Sequence, residues 1–417
     1  MNFTDKKNLE KLINKYLKVN ISKNIKYPLT DNSLLTIDIL KGVEVLLSKQ
    51  LTMSKITQEF EREFAKYIGA KYALMVNSGS SANLIAAFAL ANPRKKNFLK
   101  RGDEFLIPAL CWSTSLWPLV QAGLKPKFVD VNVNNFNMNI DEFNNKLSKK
   151  IKAIMAVHVL GNSTQIGEIA KTAKSKDIFL IEDTCESLGA KYNNKYLGTF
   201  GDFGTYSFYY SHQITSGEGG MIVCNSKTDY DLIYSMRSHG WARKLKNKNK
   251  NKKDTSFNFI NSGFNLRPLE VSAAIGLSQF KRLNSMINIR INNRKKIINR
   301  LTSSPLWNSQ FSFLEVTKNV KPSFFGLPIL INKNLLSKRK KFFNLLKTKD
   351  IETRIIISGN FVSQPSIKIY NLNQNNYRFP NAQEIENRGF FIGLHPNHIS
   401  EKTLEHLEEN LLKINKL

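Results

Sequence analysis

Acidic residues, cysteines and long apolar runs are all scarce in this chain of 417 residues. The longest apolar stretch, around residues 82–91, falls short of the roughly 20 residues that a membrane-spanning helix needs, so we expect no membrane partner. The amino terminus mixes both charges and lacks the apolar core of a secretory signal peptide. Three separated cysteines, Cys111, Cys185 and Cys224, form neither a disulfide framework nor a metal-binding pair. These absences together predict a soluble protein of the reducing cytoplasm.

The chain carries 62 lysines and arginines against 33 acidic residues, which gives a formal net charge of +29. Such an excess favours an anionic partner, namely a nucleic acid, a membrane surface or a phosphorylated substrate. The lysines are spread among many asparagines, and the sequence has no RNA-binding motif or zinc-finger spacing, so we expect no nucleic-acid partner. The densest run, KLKNKNKNKKDTS at residues 244–256, predicts a loop. It either attracts a nucleotide diphosphate or is a solvated insertion, and we favour the insertion.

Helical and strand-like segments alternate from Ile56 onward, which is typical of an α/β domain with a mostly parallel sheet. The apolar runs that we assign to buried strands are FLIPAL, PKFVDV, AIMAVHV, IFLIED, GTYSFYY and GMIVC. The length of the chain predicts more than one domain. We divide it into an N-terminal helical segment (residues 1–55), a large domain (56–283) and a small C-terminal α+β domain (284–417). In the small domain we predict strands at FFGLPILI and ETRIII, and helices over 336–347 and 401–414.

Two segments place polar residues directly after buried strands, where α/β proteins bind ligands. In NSGSSAN, Gly79, Ser80 and Ser81 precede a helix whose free amides can hold a phosphate, although a simple cap is the commoner use of such residues. In EDTCESLGA, Asp183 can pair with the ring nitrogen of a pyridine cofactor, or it can cap a helix. A third segment, GDFGTYSFYYSHQITSGEGGMIVC, leads through Ser207 to a glycine-rich turn.

Together with GDEFLIPALCWSTS, these segments resemble the nucleotide-sugar aminotransferases and dehydratases of the aspartate aminotransferase fold, which bind pyridoxal or pyridoxamine phosphate. The resemblance covers nearly the whole chain and rests on several motifs in the same order. It implies fold type I, with a mostly parallel sheet of the seven-stranded type. It also implies that Asp183 pairs with the pyridine nitrogen, that Trp112 stacks on the ring, and that Glu186 lies near the ring hydroxyl. The implied phosphate ligands are Gly79, Ser80, Ser81 and Ser207.

The aminotransferases of this family have a lysine, which binds the cofactor covalently, at the position of His212. Because an imidazole cannot form that bond, the resemblance implies that pyridoxamine or pyridoxal phosphate is held noncovalently, with the amine form favoured. His212 then becomes the acid-base group, a role for which an unperturbed pKa near neutrality is suitable. This replacement is similar to the sugar 3-dehydratase branch of the family, which removes the C3 hydroxyl of a keto-sugar.

The stretches HGWARKL, FNFINSGFNLRPLEVSAAIG and ETRIIISGNF are most similar to the branch whose substrate is GDP-4-keto-6-deoxymannose. The resemblance implies a 4-keto-3,6-dideoxy sugar as the product, glutamate as the amine donor, and a role in the dideoxysugars of lipopolysaccharide O-antigen. Another branch carries an iron-sulfur cluster, but no cysteine follows Cys224 here, so we expect no cluster. His395 and His398 flank a Pro-Asn turn without a cysteine or acidic partner, which predicts no metal site.

His239 and Asn265 match family positions that reach into the site of the neighbouring subunit, and this implies a homodimer. Asn265 would contact the cofactor there and His239 the substrate. Arg267 and Arg354 are candidates for binding the nucleotide-diphosphate sugar or glutamate, although surface ion pairs are the commoner role of arginine. Spacing alone leaves open that His239 and Asn265 only stabilise loops. Two other functions stay open: a sugar aminotransferase that has lost its lysine, and a noncatalytic protein that binds the sugar or the cofactor.

Overall fold

The computed structural model describes residues 3–19, 25–30, 34–242, 257–373 and 376–417. The predicted loop at residues 244–256 lies outside them. The helices are α1 Phe3–Val19, α2 Thr36–Ser48, α3 Lys55–Ile68, α4 Gly79–Leu90, α5 Ser113–Gln121, α6 Ile140–Lys146, α7 Ile166–Ser175, α8 Lys227–Arg237, α9 Glu270–Phe280, α10 Leu283–Thr302, α11 Arg339–Thr348, α12 Pro365–Ile369, α13 Pro380–Arg388 and α14 Glu401–Leu411. The strands are β1 Tyr72–Val76, β2 Glu104–Pro108, β3 Lys125–Val129, β4 Ile151–Val157, β5 Phe179–Asp183, β6 Lys191–Tyr192, β7 Lys195–Tyr196, β8 Phe203–Ser207, β9 Gly220–Cys224, β10 Phe311–Phe313, β11 Val320–Lys321, β12 Gly326–Ile331 and β13 Gly389–Gly393.

Seven strands form the central sheet in the order β1-β9-β8-β5-β4-β2-β3. The five strands from β8 to β3 run parallel, whereas β9 is antiparallel to both β8 and β1. Strands such as β5, β8 and β9 are buried along almost their whole length because other elements cover both faces of the sheet. The predicted α/β fold with a mostly parallel sheet is confirmed, and each of the six predicted strands corresponds to a strand of this sheet.

A three-stranded antiparallel sheet, in the order β10-β12-β13, forms the core of the C-terminal part. The predicted strand FFGLPILI contains β12, and the predicted C-terminal helices correspond to α11 and α14 with short 3-10 turns at Lys333–Lys338 and Leu412–Lys416. α10 begins at Leu283, where we expected the large domain to end. The division of the chain at residues 55 and 283 stays a prediction.

The predicted strand at ETRIII, residues 352–357, is wrong. Arg354 makes an isolated bridge to Phe391, and Ile351, just before the segment, makes one to Tyr27. The segment itself adds no strand to any of the three sheets of the described chain. The backbone turns instead, because the Gly359 amide donates to the Ile356 carbonyl at 2.9 Å. The apolar pattern predicted burial correctly, since Ile356 is buried, but the turn ends the extended run.

The N-terminal helices pack beside the large sheet rather than forming a separate core. α2 lies against α9, and the buried carboxylate of Asp38 accepts hydrogen bonds from Arg282 Nη2 at 2.8 Å and Ser278 Oγ at 2.5 Å. In the described ranges, no helix combines the length and the hydropathy that crossing a bilayer demands.

Candidate active site

A cavity of about 260 Å³ lies where the central sheet meets the C-terminal part of the chain. Several parallel strands end at its floor, which is where α/β proteins usually bind ligands. Its volume is near the lower end of small-molecule sites, which span about 300–1,000 Å³. The residues that line it are Ser78, Gly79, Ser80, Asn83, Trp112, Thr114, Ser115, Val157, His158, Asp183, Cys185, Glu186, Ser207, Tyr209, Ser211, His212, Glu218, Phe325, Arg354, Ile357 and Phe391.

The start of α4 forms one end of the cavity. Ser78 caps the helix, since its hydroxyl accepts the Ser81 amide at 3.0 Å, so the first-turn amides of Gly79 and Ser80 have no intrahelical acceptor. A Cβ at Gly79 would lie 2.6 Å from the Ser207 Cβ, and only glycine fits this approach between helix and strand. The Ser80 hydroxyl lies 3.0 Å from that of Thr114. Free amides, the helix dipole and three hydroxyls converge here, which suits a phosphate group.

Asp183, at the end of β5, presents its carboxylate to the cavity and is itself held by two neutral side chains. Its Oδ2 accepts from Asn83 Nδ2 and from Ser115 Oγ, both at 2.7 Å. Asn83 in turn accepts from the Thr205 hydroxyl at 2.6 Å, which fixes the orientation of its amide. No helix follows β5 in the described chain before residue 227, so the alternative that Asp183 caps a helix is wrong.

The neighbouring Glu182 has a structural role instead. Its buried carboxylate accepts the backbone amides of Gly198 at 2.8 Å, Phe200 at 2.6 Å and Gly201 at 2.9 Å. It also lies 3.1 Å from Nε2 of His158, which lines the cavity. Of the two adjacent acidic residues, Asp183 is therefore the one whose carboxylate faces the cavity.

His212 lies in the turn that follows β8, with its ring 5.5 Å from the ring of Phe325. Burial lowers the pKa of His212 to about 4, although a hydrogen bond with the Ser207 backbone and the charge of Asp183 act in the opposite direction. The imidazole is therefore neutral near pH 7, which differs from our expectation of a pKa near neutrality. Its Nδ1 is buried without a hydrogen-bond partner in the described chain, so one ring nitrogen is available to a polar group that enters the cavity. Within the described residues, no lysine lines the cavity.

Glu186 is a second titratable group in the cavity wall. Burial raises its pKa to about 7, although the Leu160 amide, which donates to Oε2 at 2.9 Å, favours the carboxylate. Asp183 raises this pKa further by charge repulsion, while Arg354 lowers it. Near pH 7 the Glu186 side chain is therefore partly protonated. The protonated carboxyl can donate a hydrogen bond, and the carboxylate can accept one.

Trp112 and Arg354 border the opening of the cavity next to α5. The indole is 46% exposed, which is unusual for so large an apolar ring and leaves a face available to a flat ligand. The Arg354 guanidinium carbon lies 5.9 Å from the centre of that ring. A cation and an aromatic face therefore border the same opening.

Four of the predicted residues do not line this cavity. Ser81 is turned away, with its hydroxyl accepting from Ser78 Oγ at 3.0 Å. Asn265 accepts from Arg267 Nε at 2.9 Å, and Arg267 lines a separate groove of about 1,090 Å³ beside α3 and α8. His239 has a left-handed backbone, with φ 63°, and its amide donates to the Phe264 carbonyl at 2.7 Å. One chain alone thus brings together eight of the twelve predicted residues.

The sequence reasoning missed two sets of cavity residues. Asn83 and Ser115, which hold Asp183, follow predicted residues closely: Asn83 is one helical turn after Gly79, so it lies on the same face of α4. That spacing could have identified it. Phe325, Ile357 and Phe391 come from the C-terminal part of the chain, and no local motif distinguishes them from ordinary core residues.

Among the residues of the described ranges, no group of three or more His, Cys, Asp or Glu side chains could hold a metal ion.

This donor set fits pyridoxamine phosphate. The α4 amides and hydroxyls match a phosphate, Asp183 matches a pyridinium nitrogen, and the open indole face of Trp112 matches a flat ring. The unpartnered Nδ1 of His212 can hydrogen-bond to a polar group of the ligand.

Comparisons with known proteins agree with this geometry. Residues 37–411 match the DegT/DnrJ/EryC1/StrS aminotransferase family. The chain is 37% identical over 396 residues to GDP-4-keto-6-deoxy-D-mannose 3-dehydratase of Escherichia coli O55:H7, which covers 93% of this chain and 100% of that protein. A crystal structure of the E. coli enzyme with bound hydrated PLP is similar to this fold, with a TM-score of 0.85, 36% identity, and coverage of 93% of this chain and 99% of that chain. A structure of GDP-4-keto-6-deoxymannose-3-dehydratase with a trapped PLP-glutamate geminal diamine has a TM-score of 0.84 and 36% identity, and it covers 92% of this chain and 100% of that chain.

Proposed function

The chain belongs to the DegT/DnrJ/EryC1/StrS aminotransferase family, and we propose that it is a pyridoxamine phosphate-dependent 3-dehydratase of a nucleotide-linked 4-keto-6-deoxyhexose. The proposed substrate is GDP-4-keto-6-deoxymannose, which agrees with the names of the relatives. The observation that carries the proposal is His212, an imidazole in a cavity that no lysine lines within the described chain. Such a side chain can exchange protons but cannot bind the cofactor covalently as a lysine does.

The proposed reaction consumes the keto-sugar and glutamate together. The sugar loses its C3 hydroxyl as water and gains two reducing equivalents, which become the new C–H bond at C3. Glutamate supplies those equivalents and is converted to 2-oxoglutarate and ammonia, with one water consumed. The net products are the 4-keto-3,6-dideoxy sugar, 2-oxoglutarate and ammonia, so the released sugar contains no amino nitrogen.

Bound pyridoxamine phosphate would supply a primary amine for the C4 ketone and an electron-accepting ring. The residues that would hold it are Asp183 at the ring nitrogen, Trp112 at the ring face, and Ser80 and Ser207 at the phosphate. Glu186 would face the ring hydroxyl. Gly79, whose missing side chain lets α4 approach β8, would contribute its backbone amide to the phosphate, while Ser81 and Asn265 stay predictions as further contacts.

The protein's own contribution to catalysis centres on His212. The neutral imidazole accepts a proton and then delivers it to the C3 hydroxyl of the sugar, so that this group leaves as water. Phe325 and the surrounding wall exclude water from the imidazole, which favours transfer to the substrate over loss to solvent. Arg354, at the mouth of the cavity, would pair with a carboxylate of glutamate or with the substrate.

The test exchanges His212 for lysine and for asparagine. His212→Lys should bind pyridoxal phosphate covalently, seen as a yellow species that borohydride fixes to the protein, and should lose C3 deoxygenation. His212→Asn should bind the cofactor without that species and should also lose deoxygenation. Unchanged dehydration in either variant would refute the assigned role. An amino sugar in the wild-type reaction, identified by mass, would establish the aminotransferase alternative, and ligand binding without turnover would indicate a noncatalytic protein.

We also propose a cytoplasmic homodimer in which each site is completed by its neighbour. Support comes from His239 and Asn265, which do not line the cavity of their own chain, and whose positions the family resemblance places across a subunit interface. Mixing His212→Asn subunits with Asn265→Ala subunits, each expected to be inactive alone, tests this. Random exchange makes half of the dimers mixed, and one of two sites in each mixed dimer carries neither change, so about a quarter of the wild-type activity should return. No recovery after demonstrated subunit exchange would contradict a shared site.

A further inference from the structure

The two walls of the cavity differ in chemistry. The sheet side is polar, with Asp183, Glu186 and His212 among its residues, whereas the C-terminal side contributes the apolar side chains of Phe325, Ile357 and Phe391. All three apolar residues are at least nine-tenths buried. Phe325 also contacts His212, with 5.5 Å between the ring centres, so the apolar wall reaches the position where the proposed acid-base group acts.

Ile357 has a backbone conformation that isoleucine rarely adopts. Its φ is 49°, and for a β-branched residue a positive φ is a genuine outlier with a strained backbone. It occupies the first central position of the turn that the Gly359 amide closes onto the Ile356 carbonyl. Glycine or asparagine is usual there. The strained conformation nevertheless directs an apolar side chain into the cavity.

The surrounding contacts hold this turn against the central sheet. Ser358 Oγ donates to the Cys111 carbonyl at 2.6 Å, and the Phe361 amide donates to the Ala109 carbonyl at 2.9 Å. On its other side, Arg354 and Phe391 exchange two backbone hydrogen bonds of 3.0 and 2.7 Å. The turn is therefore fixed from both directions, which is the condition under which a strained residue persists.

The proposed substrate has one apolar substituent that could pack against the apolar wall. A 4-keto-6-deoxyhexose carries oxygen at C1 to C4 and in the ring, and its C5 methyl group is its single apolar substituent. Burial of a methyl group against carbon is favourable, whereas a hydroxymethyl group at the same place would lose its hydrogen bonds to water.

We propose that Ile357, together with Phe325 and Phe391, forms the subsite for the C5 methyl group and selects 6-deoxy over 6-hydroxy sugars. This inference rests on the proposed function, because it assumes that a hexose enters the cavity. Ile357 is then a specificity-determining residue, and its backbone strain is retained because a glycine or an asparagine there would give up the apolar contact.

Calorimetric binding of GDP-mannose and of GDP-linked 6-deoxymannose to the cofactor-loaded enzyme tests the subsite. The wild type should bind the 6-deoxy sugar about 10–100-fold more tightly, as expected for one group in an apolar pocket. Ile357→Gly relieves the positive φ and removes the side chain, and it should reduce this ratio about tenfold. Ile357→Asn keeps a side chain of similar length, tolerates the left-handed backbone and adds a polar amide, so it should reduce the ratio at least as much.

Asp350→Gly is the matched control, because Asp350 also has a left-handed backbone, with φ 57°, a few residues earlier in the same segment but outside the cavity. It should leave the ratio of the two dissociation constants unchanged. An unchanged ratio in both Ile357 variants would overturn the subsite. The proposed function is tested separately, by ammonia release from wild-type enzyme with glutamate and the keto-sugar. Turnover by a wild-type enzyme that binds both sugars equally would refute the subsite but not the proposed function.

Discussion

The raised pKa of Glu186 gives a quantitative prediction for the cofactor-free protein. Burial moves this pKa from 4.5 to about 7, so between those values the folded state holds a proton that the unfolded state releases. Stability therefore falls as pH rises through this window, by about 1.36 kcal/mol for each pH unit. The shift corresponds to about 3 kcal/mol in total. Below pH 4.5 both states are protonated and the penalty vanishes.

Glu186→Gln removes the titration but keeps an oxygen that can accept the Leu160 amide. The variant should therefore gain about 3 kcal/mol relative to the wild type as pH rises from 4.5 to 7, and the difference should stay constant above pH 7. Urea unfolding of the cofactor-free proteins at pH 5.0, 6.5 and 8.0, followed by circular dichroism, measures this difference. The slopes of the unfolding curves must match for the comparison to hold.

Glu168→Gln is the control, because Glu168 is an exposed residue of α7. It should change the free energy of unfolding by less than about 0.5 kcal/mol at every pH. A Glu186→Gln effect that is the same at pH 5.0 and pH 8.0 would refute the reasoning, because it would mean that the carboxyl group ionises normally in the folded protein.

Three further variants test the construction of the site. Gly79→Ala puts a methyl group 2.6 Å from the serine Cβ at the end of β8 and should weaken pyridoxamine phosphate binding by about 1–3 kcal/mol in a fluorescence titration, with an unchanged circular dichroism spectrum. Glu182→Gln replaces one carboxylate oxygen by an amide NH2 group, so at least one of three buried backbone amides loses its acceptor. It should lower the free energy of unfolding by at least about 1–3 kcal/mol, whereas Glu168→Gln should not. Ser115→Ala removes a 2.7 Å hydrogen bond to Asp183 and should cost about 1.5–3 kcal/mol in stability or cofactor affinity, and a loss of neither would contradict the assigned contact.

The sequence predicted those parts of the molecule that depend on short-range patterns. Buried strands are continuous apolar runs in a parallel sheet, and the polar residues after them meet at one edge, so the pattern itself made Asp183 a site candidate. The place of Ser207 in the same site came from the family resemblance. The strand assigned to residues 352–357 failed for a physical reason. Apolar composition reports burial, but a turn with a positive φ at Ile357 is set by its tertiary contacts, and isoleucine gives no local signal for it.

The protonation states of the site could not be predicted from the sequence either, because they depend on burial in the folded chain. The ordinary pKa values of glutamate and histidine side chains are 4.5 and 6.5, yet in the folded chain the order is reversed, with a pKa of about 7 for Glu186 and about 4 for His212. Both shifts have the same cause, since the cavity disfavours whichever form carries a charge. Near pH 7 the imidazole is thus free to accept a proton while the carboxyl group still holds one in part, and separation of this kind is how neighbouring groups take the roles of base and acid. The family resemblance implies a glutamine at the position of Glu186 in most of the aminotransferases, and glutamine cannot supply that proton. The proposed dehydratase chemistry therefore rests on Glu186 and His212 together rather than on the histidine alone.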